Sequence, residues 1–210
     1  ETNIKRKKKI SFFNDNKKIV SIFPGSRKKE IKTHLDKILL YLSNFSKISE
    51  FNILIVAVEE HYNLIKPIVD NYNSILNLNI TTSKNKAIVF NNSFFAVAVS
   101  GTITLELALA KLPFFTIYKL NSISFFILKK LVYIKYICLI NIIFNKKIVN
   151  ELIQNDFNQK NILLNIDLML KKEFYDKQIN NFKKVPNILK YNNKNPSKLA
   201  ANIIKNKIIR

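Results

Sequence analysis

Lys18-Ile19-Val20-Ser21-Ile22-Phe23-Pro24-Gly25-Ser26-Arg27 is the stretch on which the reading of this chain depends. Its first six residues are mostly β-branched or apolar, and Pro24-Gly25 closes them, which is the pattern of a buried strand stopped by a turn. A helix is expected to follow at once. From Lys28 to Phe45 the apolar residues Ile31, Leu35, Ile38, Leu39, Leu42 and Phe45 recur at three- and four-residue steps, with Lys28, Lys29, Lys32, Asp36 and Lys37 on the other face.

The alternation continues toward the C-terminus. Phe51 to Val58 is a second apolar run, followed by a helical pattern from Glu59 to Tyr72 that Pro67 would kink or restart. Leu78 to Thr82 reads as a third strand, Lys84 to Phe90 as a short helix, and Phe94 to Val99 as a fourth strand, apolar at every position. Ser100-Gly101-Thr102 ends that strand, and a capped helix carrying Leu105, Leu107, Ala108 and Leu112 begins there. Pro113 to Tyr118 supplies a fifth strand. Beyond it lie an amphipathic segment Ile123 to Ile134, an apolar stretch Tyr136 to Phe144, and helical patterns over Ile148 to Ile153, Ile162 to Phe174 and Leu199 to Ile209, with Tyr191 to Lys198 as a loop. Strand-helix alternation with short connections predicts an α/β fold, a doubly wound, largely parallel sheet that ends in helices. Runs apolar on both faces suit a sheet covered on each side.

Composition narrows the function classes. Lys+Arg number 35 against 14 Asp+Glu, so the net charge is +21, a field that draws phosphates, acidic lipid or nucleic acid without choosing among them. With 48% apolar and 11% aromatic residues the chain is expected to fold. The single cysteine, Cys138, excludes an internal disulfide and a thiolate metal cluster, and makes the cytosol the default compartment. Lys119, Lys129, Lys130 and Lys135 cut the most apolar region, Leu112 to Phe144, into pieces short of the roughly 18 to 20 residues a membrane span needs. Glu1 to Lys9 is polar and basic with no apolar stretch after it. With no initiator Met, the expectation is a chain that starts inside a longer reading frame.

Lys, Asn and Ile crowd the sequence, yet the arginines are only Arg6, Arg27 and Arg210 and the glycines only Gly25 and Gly101. Arg27 therefore stands out, two residues from a glycine. In open α/β sheets ligands bind beyond the carboxyl ends of the strands, near helix N-termini. Both glycines fall there, in Gly25-Ser26-Arg27 and in Ser100-Gly101-Thr102. Glycine permits close backbone approach, exposed N–H groups favour an anion, and Ser26, Ser100 and Thr102 add donors. Each turn alone could be an ordinary βα turn with a Ser or Thr N-cap. Together with a guanidinium, whose fork suits phosphate, they favour a phosphate site. Glu106, one turn into the second helix, can either face ribose hydroxyls or complement the helix dipole. Asn141, alone among Leu139, Ile140, Ile142 and Ile143, needs hydrogen bonds, and its setting suits a structural role. His34 and His61 read as solvated. No metal cluster, lysine phosphate loop or nucleophilic triad is present, and no residue reads as a general base.

These residues resemble a known family. Val20 to Arg27 with Glu30-Ile31 is similar to the PGSR-x-x-E-I segment of bacterial lipid-A-disaccharide synthases, and Val99 to Glu106 to their ASGT-x-TLE segment. Tyr118-Lys119, Phe125, Leu128-Lys129-Lys130-Leu131-Val132, Tyr136, Leu139, Asn141 and Glu151-Leu152-Ile153-Gln154 follow a third family stretch in order and spacing. The chain departs from it at Ile140 and Asn150, where the family has proline, at Phe144-Asn145-Lys146, where it has Ala-Gly-Arg, and at Lys119, Lys129 and Lys130, where it has arginine.

The resemblance implies the C-terminal half of a glycosyltransferase B fold. Residues 1–16 would be a basic linker from an N-terminal domain, 17–165 a Rossmann-like, nucleotide-sugar-binding domain, and 166–210 C-terminal helices. It implies transfer of 2,3-diacylglucosamine from UDP-2,3-diacylglucosamine to the lipid monosaccharide acceptor 2,3-diacylglucosamine 1-phosphate, with inversion and without metal or other cofactor. Arg27 would contact the diphosphate, with Gly25 and Ser26 in the same turn; Ser100, Gly101 and Thr102 would cradle it, Glu106 would face the ribose, and Asn141 would line the nucleotide or sugar pocket. The catalytic base would lie in the N-terminal half. The enzyme would work in the bacterial cytoplasm, peripheral on the inner face of the inner membrane. Lys129, Lys130 and Lys135 would meet anionic headgroups. Competing readings are another UDP-sugar transferase or epimerase of the same fold and a non-enzymatic basic module that binds membrane or nucleic acid. Scattered lysines without interleaved arginine argue against nucleic acid as a partner. Acyl-chain preference and oligomeric state are not readable from the sequence, and a homodimer is left open.

Overall fold

A computed structural model describes residues 12–120, 135–190 and 196–208. Its strands are β1 (Lys18–Phe23), β2 (Phe51–Ala57), β3 (Leu78–Thr82), β4 (Ser93–Val99), β5 (Phe114–Tyr118) and β6 (Glu151–Ile153). They form one sheet in the order β3-β2-β1-β4-β5-β6, every neighbouring pair parallel. The chain winds outward from β1 in one direction and then, from β4, in the other. This is the expected doubly wound sheet.

The helices are α1 (Lys28–Ser43), α2 (Tyr62–Asp70), α3 (Lys86–Asn92), α4 (Ile103–Leu109), α5 (Leu139–Phe144), α6 (Gln159–Leu170), α7 (Lys172–Phe182), α8 (Val185–Ile188) and α9 (Pro196–Ile208). Successive strand residues point to opposite faces. Ile53 and Ile55 of β2 and Phe95 and Val97 of β4 accordingly pack in one core with α1, α2 and α6. Leu54, Val56, Ala96 and Ala98 pack in a second core with α3, α4, α5 and α7. Both faces are dry, which is why these strands read as continuous apolar runs. On the second face Gln178 of α7 bridges the backbone of Phe114, accepting its N–H and donating to its carbonyl, both at 3.0 Å. Phe182 stacks on the Phe114 ring at 5.5 Å.

Several local expectations change. Ile148 to Ile153 is not helical; Glu151–Ile153 forms β6 along β5, and the Thr116 N–H donates to the Asn150 carbonyl at 2.9 Å. The unpaired edge of β5 outweighs the local apolar spacing. The pattern from Ile162 to Phe174 divides at Lys171, which is extended with ψ 117°. Single 3₁₀ turns, Glu59–His61 and Ser83–Asn85, precede α2 and α3, and Pro67 lies inside α2 without ending it. The final helix begins at Pro196, inside the stretch expected to be a loop, where proline's fixed φ suits a first helical turn. Asn145 closes α5 in the left-handed conformation, φ +46°, so this chain places asparagine where the family pattern has a glycine cap. Segment 123–134, with Lys129 and Lys130, lies outside the described residues, as do residues 1–11 of the expected linker. No helix among the described residues is long and apolar enough to cross a membrane.

Both histidines are buried, contrary to the expectation of solvated surface positions. The His34 Nδ1–H donates to the Glu30 carbonyl at 2.6 Å, and Nε2 accepts the Lys119 N–H at 2.9 Å, so one neutral tautomer is required. Helical spacing put His34 near polar neighbours, but α1 turns that position toward the end of β5 and the rings of Tyr118 and Phe157. Burial pushes its pKa down, with the Glu30 carbonyl acting the other way. Below the unfolded value, about 6.5, the unfolded chain takes up a proton that the folded chain resists. This contribution to stability is therefore complete above that pH and is lost as pH falls toward the folded value. Chemical unfolding between about pH 8 and about pH 5 should show the loss. His34→Gln, which does not titrate, should flatten part of the profile; parallel profiles would show that His34 contributes none of it.

Burial also pushes the Cys138 thiol up to about 11. The lone cysteine is inert packing.

Candidate functional site

The carboxyl ends of β1 and β4 lie side by side at the point where the winding direction changes, and a cavity of about 360 Å³ opens there. Phe23, Val56, Val58 and Val99, from the ends of β1, β2 and β4, supply its apolar wall. Gly25, Ser26 and Arg27 reach it from the β1–α1 turn, Ser100, Gly101 and Thr102 from the β4–α4 turn, and Glu106 from α4. The structure thus gathers seven of the eight residues singled out in the sequence around one crevice.

The two turns are built on different principles. At the first, Gly25 has φ +106°, a conformation that L side chains rarely adopt. A Cβ there would also lie 2.6 Å from Glu30 Oε2 and 2.8 Å from Glu30 Cβ. Glu30, at the third position of α1, folds back over the turn. Its Oε2 accepts the N–H groups of Ser26 at 3.1 Å and Arg27 at 3.4 Å, and its Oε1 accepts from the Arg27 guanidinium at 2.9 Å. The expectation of exposed N–H donors fails here, because a carboxylate of the chain itself already takes them.

The second turn keeps its donors. The Ser100 N–H is spent on the Ile117 carbonyl, but those of Gly101, Thr102 and Ile103 meet no acceptor among the described residues. These are the orphan amides of a helix start, and they line the cavity. The expected Thr102 side-chain cap is not made. Nor is Ser26 an N-cap: α1 is preceded by Arg27, and the Ser100 hydroxyl donates instead to the Ile137 carbonyl at 3.2 Å. Around Gly101 a Cβ would meet nothing within 4 Å, and its φ is not left-handed. Nothing among the described residues requires glycine at 101.

Charges in the cavity come in pairs. Arg27 holds Glu30, and the Lys86 ammonium lies 2.5 Å from Glu106 Oε2. Glu106 Oε1 has no partner among the described residues and is open to a ligand hydroxyl. With both carboxylates neutralised, the pull on an anion comes from the free amides and the basic chain as a whole. The arrangement can grip an anionic group and a polyol. Among the described residues that line it, both carboxylates are paired.

Asn141 is elsewhere. It is completely buried, its amide donating to the Val149 carbonyl and to Glu151 Oε1, each at 2.7 Å, while its oxygen accepts the N–H groups of Ile148 at 2.8 Å and Val149 at 2.9 Å. Glu151 also accepts the N–H groups of Ile137 and Cys138 at the start of α5. Asn141 therefore ties α5 to β6 and does not line the cavity.

Sequence reasoning missed Lys86 and Glu30. Lys86 follows β3 at the same end of the sheet, a position the strand reading could have flagged. Glu30 was legible only as part of a motif, because its fold-back depends on the conformation of Gly25.

Comparison with known proteins gives this geometry a family. The model described as lipid-A-disaccharide synthetase matches residues 1–206. Lipid-A-disaccharide synthase of Rickettsia prowazekii is 34% identical over 203 residues, 93% of this chain and 52% of that protein. The enzyme of the same name from Persephonella marina is 33% identical over 212 residues, 98% of this chain and 54% of that protein. The chain spans about half the length of the curated relatives it matches. Among solved structures, the rhamnosyltransferase SpnG superposes with TM-score 0.55 at 13% identity, over 81% of this chain and 41% of that one. UDP-GlcNAc 2-epimerase from Neisseria meningitidis, solved with UDP-GlcNAc bound, gives TM-score 0.55 at 18% identity, over 86% and 46%. These two share the fold, half of a glycosyltransferase B arrangement. The first two relatives share the sequence from end to end of the match, and by that measure the chain belongs to the lipid-A-disaccharide synthetase family.

Proposed function

We propose that this chain is the donor-binding half of a lipid-A-disaccharide synthase, and that the cavity between β1 and β4 holds the nucleoside diphosphate of UDP-2,3-diacylglucosamine. The observation that carries this is that Gly101, Thr102 and Ile103, whose amides meet no acceptor among the described residues, line the cavity. A diphosphate supplies acceptors for those donors, and Arg27 stands at the mouth, its side chain 78% exposed, to take a second edge of the same group. The open oxygen of Glu106 suits the ribose hydroxyls. The acceptor, 2,3-diacylglucosamine 1-phosphate, and the base that activates its hydroxyl belong to the other half of such an enzyme. Transfer to that hydroxyl expels UDP and yields the disaccharide 1-phosphate. The lipid nature of the proposed substrates and the net charge of +21 support a reading in which the whole enzyme works peripherally at the cytoplasmic face of the inner membrane, against anionic headgroups.

Calorimetric titration of the chain with UDP and with uridine tests the reading. UDP should bind clearly more tightly; equal affinities would remove the diphosphate from the cavity. Arg27→Lys should weaken UDP by about 1.5 kcal/mol, the low end for a charged hydrogen bond because the guanidinium is exposed. It should leave uridine unchanged.

A further inference from the structure

His61 lies outside every motif, yet it touches the site. It ends the 3₁₀ turn after β2, is 8% exposed, and its Nε2–H donates to the Ser26 carbonyl at 3.1 Å. With Nε2 protonated in the neutral ring, Nδ1 carries a lone pair, and that atom is buried without a hydrogen-bond partner. A buried acceptor left unpaired is unfavourable, and the contact that offsets it is the one its other nitrogen makes with Ser26.

What it does is complete a clamp. The peptide plane between Ser26 and Arg27 is gripped at both ends, its carbonyl by His61 and its N–H by Glu30 Oε2. A planar peptide held at both ends has its orientation set. The need is local, because Gly25 precedes it with the conformational latitude of a residue without Cβ. Glu30 ties that plane to α1, the helix into which the turn leads. His61 ties it to the end of β2, a second and separate element.

We propose that His61 is a positioning residue for the donor diphosphate: by anchoring the Ser26 carbonyl to the end of β2 it fixes the direction in which Arg27 leaves the backbone at the cavity mouth. This rests on the reading of the cavity as a UDP-sugar site. Among the described residues the Arg27 guanidinium has Glu30 as its hydrogen-bonded partner and is otherwise directed by its own backbone. A turn free to rotate would spread that guanidinium over many positions, and a bidentate contact with phosphate depends on geometry.

Three forms of the chain, wild type, His61→Leu and His61→Gln, titrated with UDP and with uridine, test this. Glutamine can place an amide N–H where Nε2–H stood; leucine cannot. His61→Leu should weaken UDP about tenfold with uridine unchanged, and His61→Gln should recover most of the loss. In an Arg27→Lys background the loss from His61→Leu should shrink, because both changes remove the same contact. Equal weakening of UDP and uridine, no weakening, or a loss fully additive with Arg27→Lys would each overturn the proposal. If wild type itself does not distinguish UDP from uridine, the cavity reading fails instead. Should His61→Leu not fold, ¹⁵N NMR of wild-type imidazole decides. The Nε2–H tautomer with a slowly exchanging proton that sharpens the Arg27 side-chain signals on UDP addition is expected; a Nδ1–H tautomer overturns the clamp.

Discussion

Gly101→Ala is expected to leave the protein slightly more stable than wild type and to lower its affinity for UDP at least tenfold, about 1.4 kcal/mol. The added methyl meets no protein atom within 4 Å, and the backbone there is not in the left-handed region. The folded state is therefore not strained, and the smaller entropy of the unfolded chain adds about 0.4 to 1 kcal/mol of stability. Gly101 lines the cavity, so the methyl adds bulk beside a turn whose amides a phosphate oxygen has to approach within about 3 Å. Gly25→Ala should behave in the opposite way. Its φ of +106° and the contacts of 2.6 and 2.8 Å with Glu30 place the cost in the fold, about 2 to 4 kcal/mol in chemical unfolding. Thermal and chemical unfolding, paired with UDP titration of both variants, separates the two roles. Unchanged UDP affinity in Gly101→Ala would show that the second turn does not touch the diphosphate.

The second large effect is at Asn141. Asn141→Leu should destabilise the protein by about 3 to 5 kcal/mol, near the upper end for one substitution. Leucine fills similar space but leaves the N–H groups of Ile148 and Val149, the Val149 carbonyl and one bond to Glu151 without their partner, around a side chain that is itself completely buried. Urea unfolding measures this directly. UDP affinity of the folded fraction should be unaffected, because the side chain does not reach the cavity. A small loss of stability with a large loss of UDP affinity would return Asn141 to the ligand.

The strand reading worked wherever a strand is buried on both faces. Lys18–Phe23, Phe114–Tyr118 and the apolar runs at β2 and β4 are written in consecutive residues, and burial on two sides leaves no other pattern. β6 failed for the converse reason. Three residues long, it exists because β5 offers an open edge, and nothing within Ile148 to Ile153 records that edge. His34 and His61 were misplaced on the same ground: helical period says which residues share a face, and the partner of that face is a tertiary fact.

The candidate site divides along this line too. That two glycine turns and Arg27 belong together could be inferred from composition and spacing, because glycine and arginine are scarce in this chain and βα turns gather at one end of a parallel sheet. That the Gly25 turn spends its amides on Glu30 while the Gly101 turn keeps its own could not. Nor could the pairing of Lys86 with Glu106, the saturation of Asn141, or the reach of His61 to Ser26. Local sequence determined which elements form and at which end of the sheet their turns lie. Only the tertiary structure decided which hydrogen bonds those turns keep open, because an amide is free or spent according to atoms brought to it from elsewhere in the chain.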